Sequence, residues 1–169
     1  TGDSVVFEGA GWVRIVGDGG FDTLSNSAGN ATVIASSALV SSDIGSVING
    51  GDGHDAIGGG NGADTIDGGN GNDTINTQSG LDNIAGGAGN DTIQAGDGND
   101  QIFGEDGIDS IAGGNGNDLI NGGTGNDELD AALGNTKMIG GAGDDKFTGR
   151  SGNDTLIGGL GKDNLEGGN

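Results

Sequence analysis

The chain has 169 residues, of which 43 are glycine, and it contains no proline and no cysteine. Its formal net charge is −21 with only five lysines and arginines, so nucleic acid and anionic membrane surfaces are poor partners for it. No apolar run approaches the roughly 20 residues of a membrane-spanning helix, so membrane insertion is not expected.

Residues 1–49 are the less regular part of the chain and contain its one tryptophan, Trp12. Within them, GDGGFDTLS at residues 17–25 is a nine-residue unit with Asp at position six and Leu at position eight. Its register differs from that of the later units, which predicts a loop enlarged by six residues between Ile34 and Val47. We predict that residues 1–49 form degenerate β coils that cap the N-terminal end of a solenoid. A separate small β unit is the alternative.

From Gly50 onwards the sequence repeats every nine residues without a change of register, through thirteen complete units and a truncated one. Position four is always Gly, position six is Asp in twelve units, and position eight is always apolar. Each unit therefore predicts a six-residue glycine-rich loop followed by a strand of about three residues with one inward side chain. A short fixed period indicates a stacked solenoid, and two units per coil would give about 18 residues per coil.

The aspartates at position six are the candidate metal ligands. With two units per coil they fall into two columns. The first aspartate column contains Asp55, Asp73, Asp91, Asp109, Asp127, Asp145 and Asp163. The second aspartate column contains Asp64, Asp82, Asp100, Asp118 and Asp154, and Thr136 interrupts it.

The ligands that these loops offer are carboxylates and backbone carbonyls, which favour calcium or magnesium over zinc or copper. Flexible loop carbonyls suit calcium, which accepts six to eight oxygens, better than magnesium, which prefers strict octahedra. One ion in each gap between paired aspartates, six in the first column and three in the second, predicts about nine calcium ions. Without cations the carboxylates repel one another and the apolar core is small, so we expect the chain to be largely unfolded without calcium.

Residues 50–169 resemble GGxGxDxUx, the nonapeptide of the RTX (repeats-in-toxin) family of secreted bacterial proteins, a hemolysin-type calcium-binding repeat. The resemblance implies an all-β fold, the parallel β-roll, which is a two-sheet right-handed β-solenoid with calcium held between loops by the aspartates and loop carbonyls. It also implies type I secretion and an extracellular location. The chain departs from the pattern at residues 77–82 and 131–136, which puts the sites next to Gln78, Ala132 and Thr136 in question.

These features predict a calcium-binding structural module rather than an enzyme. His54 beside Asp55 is interpreted as an exposed loop residue, and no catalytic residue is assigned. The alternative is a ligand-binding module, for carbohydrate or ice, on a calcium-stiffened solenoid; asparagines recurring at position five, such as Asn99 and Asn117, would serve ice binding. The chain begins at Thr1 and its last unit stops after three residues, so we expect adjoining domains of a larger parent chain.

Overall fold

The structure is a computed structural model that describes residues 45–169 and, before them, four strands and Gly29. The described residues form an all-β solenoid of about seven turns with about 18 residues per turn, as predicted. All strand pairs are parallel and lie in two sheets, and the described residues contain no helix. Trp12, Asp22 and the predicted enlarged loop lie outside the described residues. None of the described residues belongs to a helix long and apolar enough to cross a membrane.

The strands, numbered β1 to β19 along the chain, alternate between the two sheets. The first sheet contains β1 (Ser4–Phe7), β3 (Thr23–Asn26), β5 (Val47–Asn49), β7 (Thr65–Asn70), β10 (Asn83–Ala88), β12 (Gln101–Asp106), β14 (Leu119–Thr124), β16 (Lys137–Ala142) and β18 (Thr155–Leu160). The second sheet contains β2 (Val13–Val16), β4 (Ala31–Ile34), β6 (Ala56–Gly58), β8 (Thr74–Asn76), β9 (Ser79–Gly80), β11 (Thr92–Gly98), β13 (Ser110–Asn115), β15 (Glu128–Asp130), β17 (Lys146–Thr148) and β19 (Asn164–Glu166).

The core consists of the position-eight side chains, which stack directly on one another from coil to coil. Ile84 pairs with Ile66 on one side and with Ile102 on the other, and all three are buried. The residues on either side of each face outward, as in the exposed–buried–exposed pattern of β8, because alternate side chains of a strand point to opposite faces. The interior is thus a narrow column of apolar side chains between two sheets, and the loops occupy the two edges.

Several strands are longer than the three residues that the sequence predicts; β11 has seven. The reason is that the hydrogen-bond ladder continues into the loops. The position-three amide of Asn70 donates to the position-two carbonyl of Gly51, one coil earlier, at 2.8 Å. Identical loops stacked in register can keep pairing their backbones where a single isolated loop would turn to solvent.

The N-terminal strands pair into the same two sheets with a changed offset. Leu24 of β3 lies opposite Ile48 of β5, and Val33 of β4 lies opposite Ile57 of β6, so partners are 24 residues apart instead of 18. The six additional residues of this coil fall between β4 and β5. The interpretation of residues 1–49 as a cap stays a prediction.

Candidate metal centre

The loops at positions one to six form the two edges of the solenoid and carry the two aspartate columns. Loops that lead from the first sheet to the second contain the first column, and loops that lead back contain the second. The aspartates from Asp55 to Asp127 and Asp145 are buried, with exposures of 1–3%. Asp154 and Asp163, in the last coil, are half-buried. Ten of the twelve candidate ligands are therefore shielded from solvent.

One carboxylate oxygen of each aspartate is tied to the coil before it. The amide of Asp73 donates to Oδ1 of Asp91 at 2.8 Å, and the amide of Asp91 donates to Oδ1 of Asp109 at 2.8 Å. The same bond repeats down both columns over a separation of 18 residues, so the loops stack with their carboxylates in register. At the N-terminal end the donors are the amides of Ala31, bound to Asp55, and of Ser46, bound to Asp64.

The second carboxylate oxygen has a different environment. In nine of the aspartates, Oδ2 is buried and has no hydrogen-bond partner among the described residues; these are Asp55, Asp73, Asp91, Asp100, Asp109, Asp118, Asp127, Asp145 and Asp154. An ionised oxygen that is buried without a partner is costly unless a cation or a proton compensates for it. Each of these atoms is therefore a preformed acceptor aimed into a closed loop.

The electrostatics of the columns reflect this burial. The pKa of Asp109 is raised to about 7, mainly by burial, with the Asp91 amide acting in the opposite direction and the neighbouring charges of Asp91 and Asp127 adding to the rise. Burial likewise raises the pKa of Asp55, Asp91 and Asp118 to about 6. Without a counterion, burial in the folded columns therefore shifts these carboxyls towards the protonated form.

In the first column, Oδ2 and a backbone carbonyl oxygen of the next coil lie beside the same small space at position one of the loop. A Cβ placed on Gly50, at position one, would lie 2.6 Å from Oδ2 of Asp55 and 2.4 Å from the carbonyl oxygen of Gly68 in the next coil. The position-one glycines have no left-handed φ, so the space beside them, and not the backbone conformation, requires glycine. The converging pairs are Asp55 with Gly68, Asp73 with Gly86, Asp91 with Gly104, Asp109 with Gly122, Asp127 with Gly140, and Asp145 with Gly158.

Position two requires glycine for the other reason, its backbone conformation. The glycines there have φ between 82° and 113°. Four units place another residue at this position, and Gln78, Glu105, Ala132 and Arg150 all adopt positive φ between 58° and 76°. This conformation is unfavourable for residues with a Cβ. The departures from the pattern at Gln78 and Ala132 therefore introduce strain without changing the path of the chain.

Thr136 continues the second column without supplying a carboxylate. Its Oγ1 accepts a hydrogen bond from the amide of Asp118 at 3.4 Å, longer than the aspartate bonds, while its own amide donates to Oδ1 of Asp154 at 2.9 Å. The stacking persists through this loop, but one acidic oxygen pair is missing from it.

The recurring asparagines at position five have a structural role. Oδ1 of Asn117 accepts a hydrogen bond from the amide of Asn135 in the next coil at 3.0 Å, and Oδ1 of Asn99 accepts one from the amide of Asn117 at 2.8 Å. His54 is exposed, as predicted, and its Nδ1 accepts from the amide of Asn72 at 2.6 Å. Position five thus caps a backbone amide that the sheet ladder does not use, which accounts for its preference for Asn.

The chemistry available at the columns is oxygen coordination. Among the described residues, no three His, Cys, Asp or Glu side chains form a cluster that could hold a metal ion. The oxygens that a cation could use at the columns are carboxylates from consecutive coils together with loop carbonyls. A mixed set of carboxylates and carbonyls on glycine-rich backbone is typical of calcium sites.

Sequence reasoning found the aspartates but missed two features. Ser46 stands at position six of the coil before the first regular unit, where its amide donates to Asp64. The position-one residues differ systematically between the columns, and the signal was present in the aligned units: Thr77, Ala95 and Ala131 replace glycine in the second column alone.

These geometries define the class of the protein: a parallel β-solenoid whose stacked loops present buried acidic oxygens to cations. Four copies of the RTX calcium-binding nonapeptide repeat match residues 46–75, 76–111, 103–138 and 139–169. The chain therefore belongs to the RTX calcium-binding nonapeptide repeat family, and it is a calcium-binding structural module. No curated protein matches it.

Proposed function

We propose that this chain is a calcium-dependent folding module of a larger secreted bacterial protein, with the twelve position-six aspartates as calcium ligands. The observation that carries the proposal is the column of buried Oδ2 atoms without hydrogen-bond partners. Each ionised oxygen of this kind opposes folding, and a divalent cation between consecutive loops would neutralise two of them at once. Calcium binding would then supply folding free energy directly.

The overall charge supports the same conclusion. With 26 acidic and five basic side chains, the chain repels itself when compact, and few ion pairs relieve this. Lys146 with Glu128 and Arg150 with Asp130 are ion pairs of the described residues, and both lie on the outer surface. Neither reaches the aspartate columns, so the buried carboxylates depend on cations from solution.

Calcium dependence would couple folding to the compartment. Calcium sites of extracellular modules bind in the ~10⁻⁴–10⁻³ M range, so a module of this kind is unfolded at low calcium and folds at the higher calcium outside the cell. Secretion is typical of proteins with these repeats. An unfolded chain inside the cell is suited to type I export, and folding outside would help to draw it outward.

The test is a calcium titration followed by far-UV circular dichroism, with magnesium as the control. We expect a steep change from coil to strand with calcium and no comparable change with magnesium at equal concentration. A strand-rich spectrum in excess chelator at neutral pH would contradict the proposal, because the buried carboxylates would then not need a cation.

A further inference from the structure

The two aspartate columns differ at position one of their loops. In the first column, this position is glycine in all seven units, from Gly50 to Gly158. In the second column, Thr77, Ala95 and Ala131 occupy it, and each is at most 1% exposed. Because the side chain at this position is buried within the loop, its methyl groups occupy space that the first column leaves open.

The contrast is visible around Gly59, which precedes Thr77 by one coil. A Cβ placed on Gly59 would lie 2.4 Å from Oδ2 of Asp64, as in the first column. Apart from the Asp64 carboxyl group itself, the nearest atom is the Cγ2 methyl of Thr77 at 3.1 Å, and no carbonyl oxygen comes as close as the 2.4–3.0 Å seen in the first column. A methyl group thus lies beside Oδ2 where the first column has a carbonyl oxygen.

A second contact engages an oxygen of this column. The hydroxyl of Thr77 donates a buried hydrogen bond of 2.6 Å to the carbonyl oxygen of Ala95. This carbonyl is the position-one equivalent of the converging carbonyls of the first column, and the hydrogen bond from Thr77 competes for one of its two lone pairs. Calcium requires six to eight oxygens, so a carbonyl engaged by a hydroxyl and the intrusion of a methyl group both weaken these gaps.

The last gap of the second column shows that position one decides the geometry. Here both residues at this position are glycine, Gly149 and Gly167. A Cβ on Gly149 would lie 2.8 Å from Oδ2 of Asp154 and 2.3 Å from the carbonyl oxygen of Gly167, which is the first-column arrangement. The difference therefore follows the residue at position one, not the edge of the solenoid.

We propose that the two columns bind calcium unequally. The six gaps of the first column fill together as the chain folds, whereas the gaps bordered by Thr77, Ala95 and Ala131 take up no ion at the same calcium concentration. This inference rests on the proposed function and refines it. It replaces the sequence-based expectation of about nine ions with about six.

The experiment counts bound calcium on the full chain by equilibrium dialysis with elemental analysis, just above the calcium concentration that completes folding. The decisive variant is Thr77→Gly combined with Ala95→Gly, which makes position one glycine in four consecutive loops of the second column. We expect the wild type to bind about six ions and the variant about nine, because three gaps open between Asp64 and Asp118. Ala112→Gly, an alanine of the β13 strand, is the matched control and should leave the number unchanged.

The reverse substitution tests the first column. Gly68→Ala would place a methyl group 2.4 Å from the carbonyl oxygen of Gly86 and 2.6 Å from Oδ2 of Asp73, and should remove at least one ion. If Gly68→Ala does not fold, the number of ions bound to the Thr77→Gly, Ala95→Gly variant still tests the proposal. Nine ions bound to the wild type would overturn the proposal that the columns bind calcium unequally. An unchanged number of ions in the glycine variant would overturn it too. In both cases calcium-dependent folding would remain supported. A chain that folds without binding any calcium would overturn the proposed function itself.

Discussion

The amide of Asp91 donates a 2.8 Å hydrogen bond to Oδ1 of Asp109, the equivalent residue one coil further on. The bond fixes the Asp109 carboxylate so that its other oxygen, Oδ2, is buried without a partner. The two oxygens of one side chain thus have separate environments: Oδ1 holds consecutive coils in register, and Oδ2 is the atom that we propose as the cation ligand. Substitutions that separate these tasks make the strongest tests.

Asp109→Asn keeps an acceptor for the Asp91 amide but removes the buried charge. In excess chelator we expect the variant to fold more readily than the wild type, by on the order of a few kcal/mol, when folding is driven by an osmolyte such as TMAO. In a calcium titration it should need more calcium, because a charged ligand is lost. Asp144→Asn is the control, since Asp144 is exposed and its Oδ1 accepts from the Lys162 amide. Shifts of the same sign in chelator and in calcium would contradict this division of tasks.

Lowering the pH should partly stabilise the fold in the absence of calcium. Burial raises the pKa of Asp109 to about 7 from 3.8, so between these values the folded state binds more protons than the unfolded state. The calcium-free fold therefore gains stability as pH falls from about 7 towards about 4, and the gain is complete below the unfolded-state pKa. Far-UV circular dichroism in chelator between pH 7.5 and 4.5 should show growing strand signal. The calcium midpoint should rise over the same interval, because protons compete for the same oxygens.

This pH response needs a check on association, because the isoelectric point is about 4.1. The strand signal should not change with protein concentration, and sedimentation should report a monomer. A chain that stays unfolded down to pH 4.5 in chelator would show that buried carboxylates are not the main barrier to folding.

Truncating an isoleucine to alanine should lower the free energy of unfolding only where the side chain is buried. Ile111 is 1% exposed in the core, whereas Ile108, in the same nine-residue unit, is 57% exposed. Ile111→Ala should lower the free energy of unfolding by about 2–5 kcal/mol, because it leaves a cavity between two coils. Ile108→Ala should change it by less than about 0.5 kcal/mol. Urea unfolding in saturating calcium compares the two, and similar losses would refute the stacked core.

Ala132 should be stabilised by replacement with glycine. Its φ is 61°, a left-handed conformation that costs an alanine roughly 1–2 kcal/mol. Ala132→Gly should therefore raise the free energy of unfolding by about 1 kcal/mol in calcium. Ala112→Gly, in a strand, should lower it by roughly 0.5–1 kcal/mol. If both substitutions destabilise the chain equally, the strain at position two is not real.

The sequence predicted the fold closely because the repeat is so regular. The nine-residue period, the single apolar side chain at position eight and the two units per coil led to the parallel solenoid, which the structure confirms. The strand lengths were wrong for a physical reason. Loop residues such as Asn70 pair with the coil beside them, and nothing in one unit considered alone shows that its loop will be paired.

The candidate site was predictable in part. Recurrence identified the position-six aspartates and sorted them into two columns, and the hydrogen bonds over 18 residues follow that sorting. From the sequence alone, all loop glycines are predicted to be turn residues. The structure separates position two, where φ is positive, from position one, where a Cβ would collide with the Asp Oδ2 atom and a carbonyl.

The sequence alone was enough to establish the repeat, the inward residue, the acidic oxygens and the family resemblance, because each of these is a local property of a nine-residue unit. Tertiary structure alone decided which oxygens converge. The Asp55 carboxylate and the Gly68 carbonyl meet because the backbones of successive coils hydrogen-bond in register, and the methyl of Thr77 lies in the equivalent space of the second column. Contacts between residues one coil apart depend on stacking, and stacking arises only when all the units fold together.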